Sequence, residues 1–230
     1  MDIYLDTCNL KEIKSAADSG LLSGITTNPS ILKKEGLLDL ETAVKKFYEL
    51  VPGPINLEVN PNLEKKEEIV KEAKRLREYG GWERNENKIV VKVHMCEEGL
   101  EAVKSLRQQR IPTNVTLVFN PFQAYFVAKA GATYVSPFVG RLDDLGENGM
   151  DLVRDIKQIY NNYGYKTKII VGSVRNLLHV LEAMRIGADI VTMPYSVFEK
   201  LKQQIRHPLT DKGLETFRKD YNELMKYEPA

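Results

Sequence analysis

The segment KIVVKVHMCEEGLEAVKSLRQQRIPTNVTLV, residues 88–118, contains a strand, a helix and a second strand in succession. Its two ends, residues 88–93 and 113–118, are short runs rich in β-branched side chains and bounded by Pro or polar residues, which favours strands. Between them, residues 97–108 repeat their apolar positions with helical spacing. Two strands joined by a helix in this way predict a parallel pair within one sheet.

The same alternation extends outward from this unit over most of the chain. Further strands are predicted at residues 3–5, 22–26, 55–59, 133–137, 168–171 and 189–193. Amphipathic helices are predicted at residues 9–19, 63–79, 121–130, 149–162 and 176–185. Strands and helices that alternate eight times predict an α/β protein, and they favour a closed (β/α)8 TIM barrel over an open doubly wound sheet. We therefore predict that residues 1–205 form one barrel domain.

Residues 206–230 remain after the eighth unit. Apolar side chains recur there at helical spacing, at Leu214, Phe217, Tyr221, Leu224 and Met225. No strand follows this predicted helix, so we expect its apolar face to pack on the barrel or on a neighbouring subunit. An extra amphipathic helix on a small barrel favours a homo-oligomer.

The composition is that of an ordinary globular protein. Of 230 residues, 43% are hydrophobic and 28% are charged, and the formal net charge is only +1. A chain so balanced has no bulk attraction to nucleic acid, so an anionic ligand must be held by a few placed residues. Cys8 and Cys96 form no CxxC pair, and no apolar stretch reaches the roughly 20 residues of a membrane span. With no signal peptide visible after Met1, we expect a cytoplasmic protein that binds neither nucleic acid nor membrane.

Lys92 is the candidate for a reactive group. Side chains alternate between the two faces of a strand, so Val91 and Val93 share one face and Lys92 points the other way. If the valines pack against helices, the amine projects into the barrel. Burial of an ammonium is costly and favours the neutral amine, which can attack a ketone to give a carbinolamine and then an imine. The alternative is a lysine of an edge strand that reaches solvent.

Polar side chains recur at the carboxyl ends of the predicted strands, where barrels of this kind build their active sites. They are Asp6, Thr26, Asn28, Glu58, Asn114, Thr116, Ser136 and Ser173. Taken singly, Asp6 could be a helix cap, and Asn28, which precedes Pro29, could be a turn residue. Their recurrence around one ring of strands predicts a single polar site.

Two arginines, Arg141 and Arg175, follow the sixth and seventh strands. Each taken alone is typical of a surface, but together with Ser173 at the start of a helix they could clamp a phosphate group. The histidines show no metal-ligand spacing; they are His94, His179 and His207. His179 lies in the middle of a predicted helix and is interpreted as structural. The GxG and P-loop phosphate motifs are absent, and no metal site is predicted.

Five motifs of the chain belong together in one known pattern. They are Leu5-Asp6-Thr7, GITTNPS at residues 24–30, Val91-Lys92-Val93, TNVTLVF at residues 113–119 and SPFVGR at residues 136–141. In this order they resemble the small-subunit transaldolases, and the related fructose 6-phosphate aldolases share most of the pattern. The likeness runs from Asp2 to about residue 200.

The resemblance implies a class I, Schiff-base mechanism. Lys92 would attack the C2 carbonyl of a ketose phosphate such as fructose 6-phosphate, while Glu58 and Thr116 would hold a water that moves protons during dehydration to the imine. Asp6 would take the proton of the C4 hydroxyl, which cleaves the C3–C4 bond. The dihydroxyacetone unit left on Lys92 would pass to an aldose phosphate such as erythrose 4-phosphate. The protonated imine is the electron sink, so neither a metal nor an organic cofactor is implied.

The resemblance also implies the substrate contacts and the assembly. Candidates for contact with the dihydroxyacetone unit are Thr26, Asn28, Asn114, Ser136 and Phe138. Arg141, Ser173 and Arg175 match the phosphate-binding positions of the family. The subunits would form a ring-based homo-oligomer, a pentamer or a decamer of two pentamers.

Two positions distinguish transfer of the unit from its simple release. The similar aldolases carry Gln where this chain has Glu58 and Tyr where it has Phe138. A hydroxyl near the enamine helps to protonate it and to release free dihydroxyacetone, and Phe138 offers no such proton. We therefore predict a transaldolase of the non-oxidative pentose phosphate pathway. The alternatives are a fructose 6-phosphate aldolase and a non-catalytic barrel that binds sugar phosphates.

The chain departs from the family pattern just after the lysine. The usual Pro-Met-Thr is replaced by His94-Met95-Cys96, and His94 faces inward with Lys92 if the strand continues. The replacement is either neutral, at the rim of the barrel, or it brings an imidazole that alters the reactivity of the amine or the preference for the acceptor. Before this strand, Gly80-Gly81-Trp82 is predicted only as a loop.

Overall fold

The structure is a computed structural model that describes residues 1–36, 39–79 and 88–227. Its eight strands are all parallel and pair in sequence order, and the last strand pairs back onto the first to close a barrel. The predicted (β/α)8 TIM barrel is therefore confirmed. The loop predicted at Gly80-Gly81-Trp82 lies outside the described residues.

A strand is present at each of the predicted positions. The strands are Asp2–Asp6 (β1), Gly24–Thr26 (β2), Ile55–Glu58 (β3), Ile89–His94 (β4), Thr113–Val118 (β5), Tyr134–Pro137 (β6), Lys168–Val171 (β7) and Ile190–Met193 (β8). Short runs of β-branched and aliphatic residues suit a parallel sheet whose outer face is covered by helices. β2 begins two residues later than predicted.

Helices follow every strand. They are Leu10–Asp18 (α1), Pro29–Lys34 (α2), Leu40–Leu50 (α3), Lys66–Glu78 (α4), Glu97–Gln108 (α5), Pro121–Ala130 (α6), Val139–Asp143 (α7), Gly149–Tyr163 (α8), Leu177–Ile186 (α9), Tyr195–Gln203 (α10) and Pro208–Leu224 (α11). A short 3-10 helix, Met225–Tyr227, follows α11.

Four helices, α2, α3, α7 and α10, lie outside the segments predicted to be helical. At the start of α2 the sequence is ambiguous, because Asn28 and Pro29 are also turn residues. Asn28 Oδ1 accepts a hydrogen bond from the backbone N–H of Ile31 at 3.0 Å, and Pro29 occupies the first turn. An Asn cap followed by Pro is a favourable helix start, and here it prevails over the turn.

The two faces of β4 differ as strand geometry requires. Ile89, Val91 and Val93 are buried in the core between the strands and the surrounding helices. Lys92 points the other way, into the barrel, where its amine contacts Glu58 of the neighbouring strand. The predicted alternation, with the valines facing outward and Lys92 facing inward, therefore describes this strand.

An apolar floor fills the barrel interior near the amino ends of the strands. Tyr4, Ile170 and Ile190 form a cluster of their own, separate from the core under the helices, and Tyr134 packs against it. Gly24 lets Tyr4 fit, because a Cβ at this position would lie 2.7 Å from an atom of the tyrosine ring. The floor confines polar chemistry to the carboxyl ends of the strands.

Helix α11 buries none of its residues against the rest of the described chain. Its apolar side chains Leu209, Phe217 and Tyr221 are 71%, 70% and 62% exposed. A contiguous apolar face of this kind is typical of a surface that meets another protein. Within the described ranges, no helix combines the length and the apolar character needed to cross a membrane.

Candidate active site

Lys92 places its amine inside the barrel, at the middle of β4. The side chain is only 3% exposed, and Nζ lies 3.2 Å from Oε2 of Glu58 and donates a hydrogen bond to the carbonyl of Thr27 at 3.1 Å. Glu58 is the register partner of Lys92 on β3, so strand pairing itself brings the carboxylate to the amine. A buried amine that can pass a proton to an adjacent carboxylate is equipped to act as a nucleophile.

Asp6 ends β1 and faces the same interior. Thr26 Oγ1 donates a hydrogen bond to Asp6 Oδ1 at 2.7 Å and lies 2.7 Å from Oγ1 of Thr192. The Thr26 hydroxyl has a single proton, which Asp6 accepts, so Thr192 must donate to Thr26. Burial raises the pKa of Asp6 above its usual value, and the charge of Lys92 and the Thr26 hydrogen bond act in the opposite direction. A carboxylate of raised pKa is suited to proton transfer.

A hydrogen-bonded amide network lies at the level of Lys92. Ser136 Oγ donates to Asn114 Oδ1 at 2.8 Å, and Asn114 Nδ2 donates to Asn56 Oδ1 at 3.0 Å. Asn56 Nδ2 in turn donates to the carbonyl of Ile25 at 3.1 Å. All three side chains are buried, and their mutual hydrogen bonds fix the orientation of each amide. The network thus presents a rigid polar wall beside the amine.

Asn56 and Thr192 are site residues that sequence reasoning missed. Asn56 lies two residues before Glu58, and Thr192 lies on β8, where no candidate was identified. The signal for Asn56 was present, because residues two apart on a strand share a face. Its contacts with Asn114 and with the backbone of β2 depend on the closed barrel, and the sequence alone does not reveal them.

Thr116 and His94 are register partners near the carboxyl ends of β5 and β4. Thr116 Oγ1 and His94 Nδ1 are buried, and neither has a hydrogen-bond partner among the described residues. Directly after Thr116, Leu117 has a φ of 61°, and the pairing of β5 with β6 shifts register between Val115 and Val118. Left-handed backbone at a leucine is strained, and such strain is concentrated at functional sites. The described residues therefore leave the hydrogen-bonding capacity of both polar atoms unused.

The ring of Phe138 stands over the amine. The Lys92 Nζ atom lies 5.8 Å from the ring centroid, and the ring of Phe119 packs edge-to-face against it with centroids 6.2 Å apart. Arg141 Cζ also lies near this ring, 5.9 Å from the Phe138 centroid. Phe138 carries no polar atom, so this wall offers the lysine no proton donor.

A cavity of about 640 Å³ borders the ring of Phe119. It is lined by Phe119, Arg141, Leu142, Asp144, Leu145, Glu147 and Arg175. Arg175 Nη2 lies 2.8 Å from Oδ2 of Asp144, and both side chains are more than half exposed. The segments after β6 and β7 are joined where the backbone N–H of Gly140 donates to the carbonyl of Ser173 at 3.2 Å. The two arginines thus line one cavity, which they share with the carboxylates of Asp144 and Glu147.

The predicted site residues fall into two groups and one exception. Inside the carboxyl end of the barrel lie Asp6, Thr26, Glu58, Lys92, Asn114, Thr116 and Ser136. Around Phe138 and the cavity lie Arg141 and Arg175. Ser173 lies two residues before Arg175 in the loop after β7, and the prediction that it starts a helix is wrong, because α9 is capped by Asn176 and begins at Leu177. The exception is Asn28, whose Oδ1 caps α2, so the cap leaves its amide nitrogen and one lone pair of the oxygen for a ligand.

Cys96, which departs from the family pattern, and His179, which was predicted in the middle of a helix, both lie at helix starts. Cys96 caps α5, and its Sγ accepts a hydrogen bond from the backbone N–H of Gly99 at 3.2 Å. His179 is the third residue of α9 and not a mid-helix residue, because the helix begins at Leu177. In the described ranges, no group of three or more His, Cys, Asp or Glu side chains could hold a metal ion.

Comparisons with known proteins match almost the whole chain to one family. The family described as Transaldolase/Fructose-6-phosphate aldolase matches residues 3–228. A protein of Thermodesulfovibrio yellowstonii named "Probable transaldolase" is 51% identical over 226 residues, which are 98% of this chain and 100% of that protein. A protein of the same name from Thermoplasma volcanium is 48% identical over 226 residues, 97% of this chain and 96% of that protein.

Solved structures share the architecture at much lower identity. The crystal structure of inosine 5' monophosphate dehydrogenase from Legionella pneumophila matches with a TM-score of 0.57 at 16% sequence identity. The match covers 86% of this chain and 58% of that chain. A likeness at this level concerns the barrel fold alone, since one fold carries many chemistries.

Proposed function

The chain belongs to the transaldolase/fructose-6-phosphate aldolase family, and within that family we propose that it is a transaldolase. It transfers a dihydroxyacetone unit from a ketose phosphate to an aldose phosphate through a Schiff base on Lys92. The observation that carries the proposal is the amine of Lys92, only 3% exposed and 3.2 Å from the carboxylate of Glu58 inside a closed barrel. Neither a surface lysine nor a lysine paired in solvent has this environment.

Formation of the imine uses Lys92, Glu58 and Thr116. The neutral amine attacks C2 of the ketose phosphate, the carbonyl oxygen takes up a proton, and a carbinolamine results. Loss of its hydroxyl as water then gives the protonated imine. Glu58 supplies or takes the protons, and the buried Thr116 Oγ1, which has no partner among the described residues, holds the water that carries them.

Cleavage of the C3–C4 bond uses Asp6 as the base. Its carboxylate takes the proton of the C4 hydroxyl, C4 becomes the carbonyl carbon of the departing aldehyde, and the bonding electrons move to the imine nitrogen. The product on Lys92 is an enamine of dihydroxyacetone. Burial keeps the pKa of Asp6 above its usual value, which makes its carboxylate a better proton acceptor than an exposed one.

The enamine is then held until an acceptor aldehyde arrives. Asn114 and Ser136 hydrogen-bond its hydroxyl groups from the amide network, and the Asn28 amide nitrogen adds a further contact. Thr26 acts inside the barrel, where its hydroxyl holds Asp6. The acceptor carbonyl carbon is attacked by the enamine, Asp6 returns the proton to the new hydroxyl, and hydrolysis of the imine releases the longer ketose phosphate. Each step reverses one of the steps above.

The phosphate of donor and acceptor binds in the cavity lined by Arg141 and Arg175. Two guanidinium groups and the Ser173 segment suit a dianion, because charge-assisted hydrogen bonds to phosphate are strong and directional. Arg175 must exchange its contact with Asp144 for the phosphate. That exchange is inexpensive, since both partners are largely solvated and such pairs contribute little.

Transfer is favoured over simple release by Phe138. Release as free dihydroxyacetone requires that the enamine carbon be protonated, and the side chain over Lys92 is a phenyl ring with no proton to give. Glu58 in place of the Gln of the aldolases supports the same choice. A non-catalytic sugar-phosphate barrel, the third alternative, has no use for a buried lysine between Glu58 and Asp6.

The dependence on an acceptor tests the proposal. We expect release of glyceraldehyde 3-phosphate from fructose 6-phosphate to be slow alone and strongly accelerated by erythrose 4-phosphate. Acceptor-independent turnover would identify an aldolase, and no release in either condition would identify a binding protein.

A pair of matched variants tests the role assigned to the phenyl ring. Phe138→Tyr adds a hydroxyl over the amine and should raise acceptor-independent release. Phe119→Tyr adds the same hydroxyl to the ring packed behind it and should not. Equal effects of the two variants would contradict the role of Phe138.

The wider setting follows from the same proposal. A cofactor-free transfer between sugar phosphates belongs to the non-oxidative pentose phosphate pathway, in the cytoplasm. The exposed apolar face of α11 supports a homo-oligomer, a pentamer or a decamer, in which this helix packs on a neighbouring subunit.

A further inference from the structure

His179 joins the two chain segments that carry the arginines of the cavity. The side chain is buried, and its Nδ1 accepts a hydrogen bond from the backbone N–H of Arg175 at 3.3 Å. Its other nitrogen, Nε2, lies 2.9 Å from Oδ2 of Asp143. Asp143 ends α7, the helix that carries Arg141. One buried imidazole therefore ties the backbone of one arginine to the helix of the other.

The hydrogen bonds leave only one tautomer for this ring. A nitrogen that accepts from a backbone N–H carries no proton, so the proton of the neutral imidazole lies on Nε2. Nε2–H then donates to Asp143, whose carboxylate holds the ring in this orientation. The second oxygen, Asp143 Oδ1, accepts a hydrogen bond from the backbone N–H of Gly149 at 3.0 Å, so the carboxylate is fixed from both sides.

The loop that His179 holds is a strained one. Ser173 has a φ of 59°, a left-handed conformation that a serine keeps only where surrounding contacts enforce it. The hydrogen bond from the backbone N–H of Gly140 to the Ser173 carbonyl is one such contact. The hydrogen bond from the backbone N–H of Arg175 to His179 Nδ1 is another. The side chain of Arg175 is 54% exposed, so its placement depends on where the backbone is held.

We propose that His179 and Asp143 are a positioning pair that sets the spacing of Arg141 and Arg175 for a phosphate group. The inference rests on the proposed function, because it takes these arginines to bind the phosphate of the sugar. Neither His179 nor Asp143 lines the cavity, so the pair acts through the arginines and not on the substrate.

The competing explanation is a purely structural role at the start of α9. His179 lies in the first turn, where its own backbone N–H donates to the capping oxygen of Asn176 at 3.0 Å. The two roles differ in what they affect. The cap uses only the backbone of His179, so it survives replacement of the side chain. A structural role of the side chain would lower the stability of the whole chain, as loss of the cap itself does, whereas loss of the spacing weakens the affinity for phosphate.

The test measures a phosphorylated and an unphosphorylated ligand on the same variant, His179→Leu. The KM for fructose 6-phosphate and the inhibition constant of inorganic phosphate report on the cavity. Dihydroxyacetone has no phosphate, and its trapping on Lys92 by borohydride reports on the imine site. We expect KM and the phosphate constant to rise roughly tenfold or more, while half-saturation by dihydroxyacetone stays within about twofold of the wild type.

Three further variants separate positioning from folding. Asp143→Asn keeps the size of the side chain but leaves one amide oxygen to accept from both the Gly149 N–H and the His179 Nε2–H. It should therefore raise the KM and the phosphate inhibition constant as His179→Leu does, without affecting dihydroxyacetone. His179→Gln, whose amide nitrogen can replace the Nε2 donor, should recover part of the loss. Asn176→Ala removes the cap and leaves the bonds of His179 to Arg175 and Asp143 intact, so we expect a lower melting temperature with an unchanged KM for fructose 6-phosphate.

The outcomes distinguish the inference from the proposed function. If His179→Leu changes both ligands in parallel or neither, or if Asn176→Ala raises KM as much, the positioning role is wrong and the transaldolase proposal stands. If His179→Leu does not fold, the KM of Asp143→Asn decides in the same way. If the wild-type chain forms no dihydroxyacetone adduct on Lys92, the proposed function fails and the inference fails with it.

Discussion

At the scale of the residue, two carboxylates in different environments share the charge of Lys92. Glu58 contacts the amine at 3.2 Å, whereas Asp6 interacts with the same charge from β1 and accepts a hydrogen bond from Thr26. Strand pairing produces this division, because Glu58 is in register with Lys92 and Asp6 is in register with Thr26. In the proposed mechanism, one carboxylate serves the lysine and the other serves the substrate.

The hydrogen bond from Thr26 to Asp6 should set the acid limb of the pH–rate profile. Burial raises the pKa of Asp6 and this hydrogen bond lowers it, so Thr26→Val should raise the pKa further. A hydrogen bond to a charged group is worth about 1.5–3 kcal/mol, which predicts a shift of about one pH unit or more. Because the carboxylate is the active base, kcat/KM for cleavage should begin to fall at a higher pH in the variant.

Thr192→Val is the matched control for this measurement. It removes the hydroxyl that lies 2.7 Å from Thr26 Oγ1 and leaves the contact with Asp6 in place. Its acid limb should stay closer to that of the wild type. An unmoved limb in Thr26→Val, or equal shifts in both variants, would count against Asp6 as the titrating base.

His94 offers a second prediction at this scale. Its Nδ1 is buried without a partner in the described ranges, two residues along the strand from Lys92. A hydrogen bond to a substrate hydroxyl is worth about 0.5–1.5 kcal/mol, so His94→Pro and His94→Phe should each lower kcat/KM with some acceptors about two- to tenfold. The measurement is a series of acceptor aldehydes and a pH–rate profile. If both remain unchanged, His94 is a neutral replacement.

Residues of the site were predictable from sequence where alternation along a strand places them. Lys92 and Glu58 need only the period of two and the rule that barrel sites lie at the carboxyl ends of strands. Asn56 and His179 cannot be assigned in this way, because their partners Asn114 and Asp143 lie 58 and 36 residues away in the chain, and only the closed barrel brings them together.

At the scale of the element, α7 and the loop after β7 touch through a glycine. A Cβ at Gly140 would lie 2.2 Å from the carbonyl oxygen of Ser173 and 2.6 Å from Nε of Arg175. Both distances are far below contact, so a side chain at this position must push the two segments apart. The two arginine-bearing elements therefore depend on the absence of a side chain here.

Gly140→Ala should therefore impair phosphate binding. We expect the KM for fructose 6-phosphate to rise by roughly tenfold or more, since a misplacement of about 1 Å can cost a hundredfold in rate or affinity. Gly213→Ala, in α11, is the control, because a Cβ there meets nothing within 4 Å and alanine favours a helix. Wild-type KM in Gly140→Ala would show that the segments tolerate separation.

The elements themselves were predicted unevenly for a physical reason. Strands were recognised from β-branched runs, and long helices from the period of their apolar face. α7 has only five residues, too few for a period, and α2 begins at an Asn-Pro pair that also suits a turn. α3 buries Ala43, Val44 and Phe47, and this spacing would have revealed it.

At the scale of the whole molecule, the strands and the helices around them bury their apolar side chains in a shared core, whereas α11 buries none of its own. Leu214, Phe217, Tyr221 and Leu224 are all exposed on this helix. Their three- and four-residue spacing puts them on one face, the face expected to meet a neighbouring subunit.

Removal of that face should reduce the mass of the particle. Sedimentation of a chain truncated after His207 should give a smaller species than the pentamer or decamer expected of the full chain. A gentler pair of variants is Phe217→Glu against Lys219→Gln, which lower the net charge equally and differ in the face they alter. Only Phe217→Glu should dissociate the particle, and an unchanged mass in it and in the truncated chain would exclude α11 from the interface.

The central claim is that Lys92 forms an imine with the substrate, and borohydride reduction during turnover of fructose 6-phosphate tests it most directly. We predict one reduced dihydroxyacetone adduct, located by peptide mass on Lys92 and absent from an inactive Lys92→Met. Lys88→Met is the control, because Lys88 Nζ donates to the carbonyl of Tyr48 and makes no contact with the site, so this variant should still form the adduct. No adduct, an adduct on another lysine, or full activity in Lys92→Met would contradict the account.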